Sequence, residues 1–536
     1  MIKFPIGVQS FEKIRKEDYV YVDKTDLIYR LVNDGTIYFL SRPRRFGKSL
    51  LVSTIENYFL GRRELFKGLA IDALEKEWLE YPVFHIDFNG CNFTKAGTLD
   101  SVIEETVSSW ERKYGHSDDF TDVGGRFAEV LRRAHEATGR RCVVLIDEYD
   151  KPLLDVMDTD YTIDVGDQRR PLEDWNREVL RGFYSVFKAA DNDLQFVLLT
   201  GVTKFAQISV FSGFNQANDI SMSEKYEALC GITQDELERY FAEPIDAMAE
   251  KLGITREDVL QRLKEQYDGY HFSVAMRDIY NPFSLLCAFD ELRIDSYWFT
   301  TGSPEYLMRL MARSSENLNE LVGRYYSPSM FLEYKATPDM PLPIIYQSGY
   351  LTIKDYRQSR DTFLLDYPNM EVQNGFISLA ASEYFKSRNG KVDFWLQDLL
   401  DAMEDGKPDR MGQLFTTFLA DIPYTARRKE NERERERYFQ YTLHLIFKMI
   451  NAYHTAIEQP QSQGRVDCIV ETPKYVYIFE FKLDGTADEA LAQIEDKGYA
   501  RPYASDPRTV FRIGAGFSSE TGTIGEWKTA GGPREL

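Results

Sequence analysis

Apolar residues in the first 220 positions recur with two different periods. Four short runs rich in β-branched and aromatic residues read as strands: "TIYFLS" (36–41), "YPVFHIDFN" (81–89), "RCVVLIDEYD" (141–150) and "LQFVLLTGVTKF" (194–205). Between them lie segments of helical period. In "KSLLVSTIENYFL" (48–60), Leu51, Ile55, Tyr58 and Phe59 fall on one helical face. Strands alternating with helices predict an α/β fold, a parallel sheet with helices on both faces.

Beyond residue 220 the pattern changes. "TQDELERYFAEPIDAMAEKL" (233–252) opens with Thr233 three residues before Glu236, the spacing of a capping box, and predicts a helix. "LQRLKEQYDGYHFS" (260–273) predicts a second helix closed near Gly269. Residues 301–395 mix helix with extended "PIIYQSGYLTIKDY" (343–356) and "DTFLLDYPN" (361–369), and "TPDMPLP" (337–343) reads as a loop. After 396 a charged helix turns apolar (426–454). A hairpin follows, "GRVDCIV" (464–470) and "KYVYIFEFK" (474–482) joined by "ETP", then a helix (487–500) and a strand (509–518). The expected division is an α/β domain (1–220), a helical lid-like domain (221–300), a mixed connecting domain (301–395) and a separate α/β domain (396–536).

Composition narrows the classes. Apolar runs such as "CVVLI" (142–146) fall far short of the roughly 18 residues a membrane span needs, and no membrane partner is expected. The N-terminal stretch lacks the apolar core of a secretory signal. The five cysteines are widely spaced with no CxxC pair, which argues against a zinc site and a disulfide framework. A reducing cytoplasm is the expected compartment. A net charge of −21 repels phosphate backbones at long range and counts against a broad nucleic-acid coat. It leaves room for a site where a bound cation inverts the local field.

The loop between the first strand and its helix reads "RPRRFGKSL" (42–50). A phosphate cradle needs backbone N–H groups wrapped around the anion, a Lys for the β- and γ-phosphates and a Ser or Thr hydroxyl for Mg²⁺. Gly47, Lys48 and Ser49 supply that ending. Arg44, Arg45, Phe46 and Leu50 complete the candidate ATP-binding loop. The first Gly of a Walker A motif would fall at Arg42, and Pro43 lacks an N–H, so the early half of the cradle must be shaped differently. The third strand runs from apolar Val143–Ile146 into Asp147 and Glu148, a Walker B pattern. Asp147 is placed to hold the Mg²⁺ shell, and Glu148 to orient the attacking water. Thr200, ending the fourth strand, reads equally as a γ-phosphate contact or as an ordinary strand end. Arg170 and Arg181 are candidates for an arginine finger.

A second constellation lies near the C-terminus. Asp467 precedes Glu480-Phe481-Lys482 by twelve intervening residues. Alternate strand residues share a face, so Glu480 and Lys482 point together, and Asp467 on the preceding strand can join them. Two carboxylates beside a Lys suit Mg²⁺ (or Mn²⁺) and phosphodiester hydrolysis. Glu436, in the preceding helix, is a candidate third carboxylate. A surface hairpin with an ordinary ion pair is the plain alternative, but these charges interrupt a strongly apolar strand.

With both constellations in view, the chain resembles bacterial proteins that pair an AAA-ATPase-like domain with a C-terminal PD-(D/E)XK nuclease-superfamily domain. The resemblance rests on "YVDKT" (21–25), "RPRRFGKSLL" (42–51), "VVLIDEYDKP" (143–152), "LTGVTKF" (199–205), "YDGYHF" (267–272), "YNPFSLL" (280–286), "YWFTTGSP" (297–304), "YPNMEV" (367–372), "GRVD" (464–467), "YIFEFK" (477–482) and "AQIEDKGYA" (492–500). It implies a restriction-endonuclease-like C-terminal domain and an ATP-driven module controlling a metal-dependent nuclease. Lys48 and Ser49 would bind nucleotide, Asp147 and Glu148 would be the Walker B acids, and Asp467, Glu480 and Lys482 the nuclease core, with Glu436 as the helix acid. Some superfamily members carry Gln-x3-Tyr on the following helix; here Gln493 is followed at that spacing by Lys497, with Tyr499 two further on. Nucleic acid, of a type the sequence does not specify, is the implied partner, and homo-oligomeric assembly stays open. The competing reading is a nucleotide-switched regulatory or binding protein whose nuclease-like domain does not cut.

Overall fold

The computed structural model describes residues 2–204, 217–299, 306–307, 309–310, 321–332, 340–384, 391–420, 454–461 and 464–532. They divide into two compact units, Met1–Gln373 and Asn374–Leu536.

The first unit is built on a parallel sheet. Its strands are β1 (Ile37–Ser41), β2 (Val83–Asp87), β3 (Cys142–Asp147), β6 (Leu194–Gly201) and the two-residue β7 (Asn218–Asp219), in the order β2-β3-β6-β1-β7. Every residue of β1 and β3 is buried. That accounts for their continuous apolar runs, since a parallel sheet is covered on both faces. β6 inserts between β1 and β3, pairing Leu40 with Thr200 and Ile146 with Leu199. The phosphate-loop strand and the acid strand therefore flank Thr200. A hairpin of β4 (Thr162–Val165) and β5 (Gln168–Pro171) was not expected, because its mostly polar sequence carries no alternation.

Thr233 and Glu236 form the expected capping box. The helix they open stops at Tyr240, and a new one runs Ala242–Leu252. Pro244 would remove a hydrogen bond inside one long helix; three residues into a fresh one, its missing N–H falls among groups that have no helical partner anyway. The next helix, Arg256–Tyr267, is capped by Thr255 and Asp258 and followed by Gly269 at φ +85°. Leu237, Phe241, Ile245, Val259, Leu263 and Phe289 close one core between these helices.

"PIIYQ" is helical, not extended: the helix spans Leu342–Gln347. Pro343 sits in its first turn, where proline is tolerated, and Gly349 at φ +88° ends the turn that follows. Among the described residues the unit also holds three antiparallel strands, β8 (Arg324–Tyr326), β9 (Thr352–Arg357) and β10 (Thr362–Asp366), in the order β8-β10-β9.

The second unit holds a sheet in simple order: β11 (His454–Gln461), β12 (Gly464–Glu471), β13 (Tyr475–Leu483), β14 (Thr509–Ser518) and β15 (Thr523–Gly531). Only β13 and β14 are parallel. A parallel pair needs a crossover, and the helix Ala487–Asp496 provides it. The expected helix at 426–454 falls outside the described residues up to 453, and its last residue, His454, opens β11.

Candidate functional site

The loop between β1 and the helix Lys48–Phe59 makes its turns with two left-handed residues, Arg45 (φ +68°) and Gly47 (φ +88°). Lys48 is buried, and its Nζ donates to the carbonyls of Arg42 and Pro43, 3.2 Å from each. It also lies 3.5 Å from Glu148 Oε1. Loop and acid strand thus face each other across a cleft of about 420 Å³ lined by Arg44, Arg45, Lys48, Ser49, Leu50 and Glu148 among others.

Opposite the loop, Asp147 is buried and its Oδ1 accepts from the Thr200 hydroxyl and from the Glu148 N–H. The turn after it is stitched to the end of β6. Tyr149 N–H donates to Thr200 O, and Tyr149 OH to Thr203 O. Asp150 Oδ2 accepts from Val202 N–H, Thr203 N–H and the Thr203 hydroxyl at 2.7–3.1 Å. Burial, reinforced by the Glu148 charge, pushes Asp150 up to about 6.

Arg42, where a Walker A motif would have glycine, is fully buried and faces away from the cleft. Its guanidinium donates to Ser41 O and Ser221 O and stacks on Phe272 at 4.1 Å. Phe46 is buried too, edge-on to Tyr270. Trp298 Nε1 donates to Arg44 O, and the Arg45 guanidinium lies over Phe283. A Cβ on Gly349 would meet Pro43 at 2.6 Å. The aromatic segments between 267 and 298, with Gly349, therefore clasp the loop from outside. Beside Phe46, a smaller apolar pocket of about 100 Å³ is walled by Val22, Leu51, Leu229 and Ile232.

In the second unit, Glu480 on β13 is buried and its Oε1 accepts from Lys482 Nζ at 3.2 Å. Gln493, on the crossover helix, joins both: its Nε2 donates to Glu480 and its Oε1 accepts from Lys482. Asp467 on β12 reaches the same place, its Oδ2 accepting the Phe481 N–H at 2.8 Å. Burial and the Asp467 charge push Glu480 up to about 7. Glu480 Oε2 is buried without a hydrogen-bond partner, which is costly unless something positive takes its place. An oxygen-only pair of carboxylates with one orphaned oxygen fits a hard divalent cation. Tyr499 is buried beside this group and hydrogen-bonds Gln493.

The helix approaches so closely because β14 carries glycine opposite the charged residues. Gly514 pairs with Glu480 and Gly516 with Lys482. A Cβ on either would lie 2.3 Å from a backbone oxygen, that of Ala487 or Gly485.

Comparison with known proteins bears on both units. Residues 5–211 match the model of a predicted AAA-ATPase family, and residues 434–527 that of the PD-(D/E)XK nuclease superfamily. A protein described as uncharacterized, from the vnfD 5′ region of Azotobacter chroococcum mcd 1, is 33% identical over 527 residues, covering 97% of this chain and 98% of that one. The chain belongs to this family of AAA-ATPase-like proteins with a PD-(D/E)XK nuclease-superfamily domain. A solved structure of the Aeropyrum pernix ORC1 protein in complex with DNA is 13% identical, covering 67% of this chain and 93% of that one at a TM-score of 0.23, too low to add to the argument.

Within the AAA-ATPase-like domain, Lys48 and Glu148 meet directly, as do Asp147 and Thr200, while Ser49 shares the cleft wall with the former pair. Arg170 pairs with Glu178, Arg181 is exposed, and neither lines the cleft. In the nuclease-superfamily domain Asp467, Glu480 and Lys482 converge, and Glu436 lies outside the described residues. Sequence reasoning passed over Asp150, although it stands in "DEYD". It left Gln493 and Tyr499 unassigned because Lys497 occupies the expected spacing, and the extra turn after Asp496 brings Tyr499 back to Gln493. Among the described residues no helix is long and apolar enough to cross a membrane.

Proposed function

We propose that the first unit binds and hydrolyses ATP and that the second cleaves phosphodiester bonds in nucleic acid, the nucleotide state governing the cleavage. The observation that most directly supports the cutting half is the pairing of a buried, partnerless Glu480 oxygen with Asp467 and Lys482 around one point.

In the first unit Lys48 meets the β- and γ-phosphates once its hydrogen bonds to the loop carbonyls are exchanged. Glu148 orients the attacking water, and Thr200 holds Asp147 at a fixed angle. The apolar pocket beside Phe46 takes the base. Ser49 and Asp147 would hold Mg²⁺, which would supply neutralisation of phosphate charge. In the second unit Lys482 positions the water that attacks phosphorus, and Gln493 fixes the Lys482 ammonium against Glu480. Asp467 and Glu480 would hold Mg²⁺ or Mn²⁺, which supplies Lewis acidity.

The test is incubation of purified protein with labelled single- and double-stranded DNA and RNA, with Mg²⁺ or Mn²⁺, with and without ATP. Cleavage is expected in the wild type and lost in Glu480→Ala and Lys482→Ala. Metal-dependent binding without cleavage in every arm would favour a nucleotide-switched binding protein instead.

A further inference from the structure

Among the described residues, Lys151 is a cation on the cleft wall that lies outside the loop 42–50. Lys151 opens the short helix Lys151–Leu154, three residues after Glu148, and lines the cleft together with Glu148 and Lys48. Its N–H donates to Glu148 O, and Glu148 itself is turned in the left-handed region (φ +54°). After that turn Lys151 shares the cleft lining with Glu148. Lys151 Nζ lies 2.9 Å from both Asp155 oxygens, and Asp155 also lines the cleft while accepting from Phe93 N–H. The apolar pocket beside Phe46 adjoins the cleft, sharing Gly47, Leu50 and Pro282 with it, and neither Glu148 nor Lys151 lines that pocket. Lys151 thus stands at the phosphate end.

The structure assigns Lys151 as a contact to the terminal phosphate of the nucleotide, the cation in cis that neither Arg170 nor Arg181 supplies. The assignment rests on the nucleotide reading of this cleft. Asp155 is the positioning residue. It holds the ammonium extended along the wall, where a triphosphate of higher charge competes for it. An ordinary i,i+4 ion pair on a helix face would need no such address; most such pairs contribute little.

Binding of ATP and ADP, each with Mg²⁺, to the full chain by calorimetry tests this. Lys151→Ala is expected to weaken ATP by about tenfold or more and leave ADP within about twofold, since one charge-assisted hydrogen bond to the γ-phosphate is lost. Lys151→Arg should restore most of the ATP affinity. Equal affinities of wild type and Lys151→Ala for ATP would overturn the assignment, as would equal losses for both nucleotides. If the Ala variant does not fold, Lys151→Gln, which keeps the stem, is judged by the same ATP-to-ADP ratio. A wild type that binds neither nucleotide defeats the nucleotide reading itself, a separate result from a wild type that binds both.

Discussion

Under the proposed reading each side chain has its own role, and substitution should separate them. Lys48→Ala removes the ammonium from the phosphate loop and should reduce ATP affinity by at least about a hundredfold, read by calorimetry, given two or more charge-assisted hydrogen bonds. Glu148→Gln keeps the shape and loses the charge, so binding should persist while turnover in a phosphate-release assay falls. Asp268 is buried behind the clasp of the phosphate loop, and burial pushes its carboxyl up to about 7. An acid that is harder to ionise in the folded state than in the unfolded one costs stability wherever it must ionise. Stability should therefore fall as pH rises from about 4 to about 7, by at most roughly 4 kcal/mol from this group. Asp268→Asn removes that slope: urea midpoints should shift in the variant's favour across that range and run parallel to wild type above it. Parallel curves throughout would mean that Asp268 stays charged. At this scale the sequence singled out residues that the structure brings together, Lys48 with Glu148 and Glu480 with Lys482. It was silent on Asp150 and Asp268, because burial, the cause of their shifts, is a property of the folded neighbourhood.

Elements place these side chains through backbone contacts that small residues permit. Gly514 and Gly516 on β14 let the crossover helix lie against the sheet, and that approach carries Gln493 to Glu480 and Lys482. Gly514→Ala puts a Cβ against the Ala487 carbonyl, so the helix must move. A loss of about 1–3 kcal/mol in unfolding free energy is expected from the overlap. Nuclease activity should fall further than stability, because Gln493 leaves its partners. Gly349→Ala, at φ +88° and against Pro43, should act on the first unit in the same way and weaken ATP binding without touching a phosphate contact. Strand and helix positions were largely legible, since β1, β3, β6, β13 and β14 each announce themselves by a buried apolar run. The misses have local causes. "PIIYQ" looks extended because β-branched residues and proline suit strands, yet Pro343 falls where a helix begins. The β4–β5 hairpin is too polar to show a period.

At the scale of the whole molecule, the two units carry separate cores and separate sites. A fragment ending after Tyr384, which completes the helix Met370–Tyr384, should keep wild-type ATP affinity by calorimetry. Loss of binding in a folded fragment would tie the cleft to the second unit. What the sequence could not convey here is the clasp. Segments 200 or more residues beyond the phosphate loop, around Tyr270, Phe272, Trp298 and Gly349, hold it in place, and their aromatic motifs read as plain core until the loop is seen between them.

The two sites also differ in how far apart their parts lie along the chain. Phe481 meets Asp467 across 14 residues, and Gln493 meets Glu480 and Lys482 across 13 and 11. Thr200 and Asp147 are 53 apart, and Lys48 and Glu148 a hundred. Closing a longer loop costs more entropy, and chains rich in local contacts fold sooner. In refolding followed by pulsed hydrogen exchange, the amides of β12, β13 and β14 should gain protection before those of β1, β3 and β6. On that expectation, a chain refolding from denaturant passes through an interval in which Asp467, Glu480 and Lys482 are assembled while Lys48 and Glu148 are still apart. If ATP restrains cutting in the finished protein, a refolding sample should regain cutting before it regains that restraint.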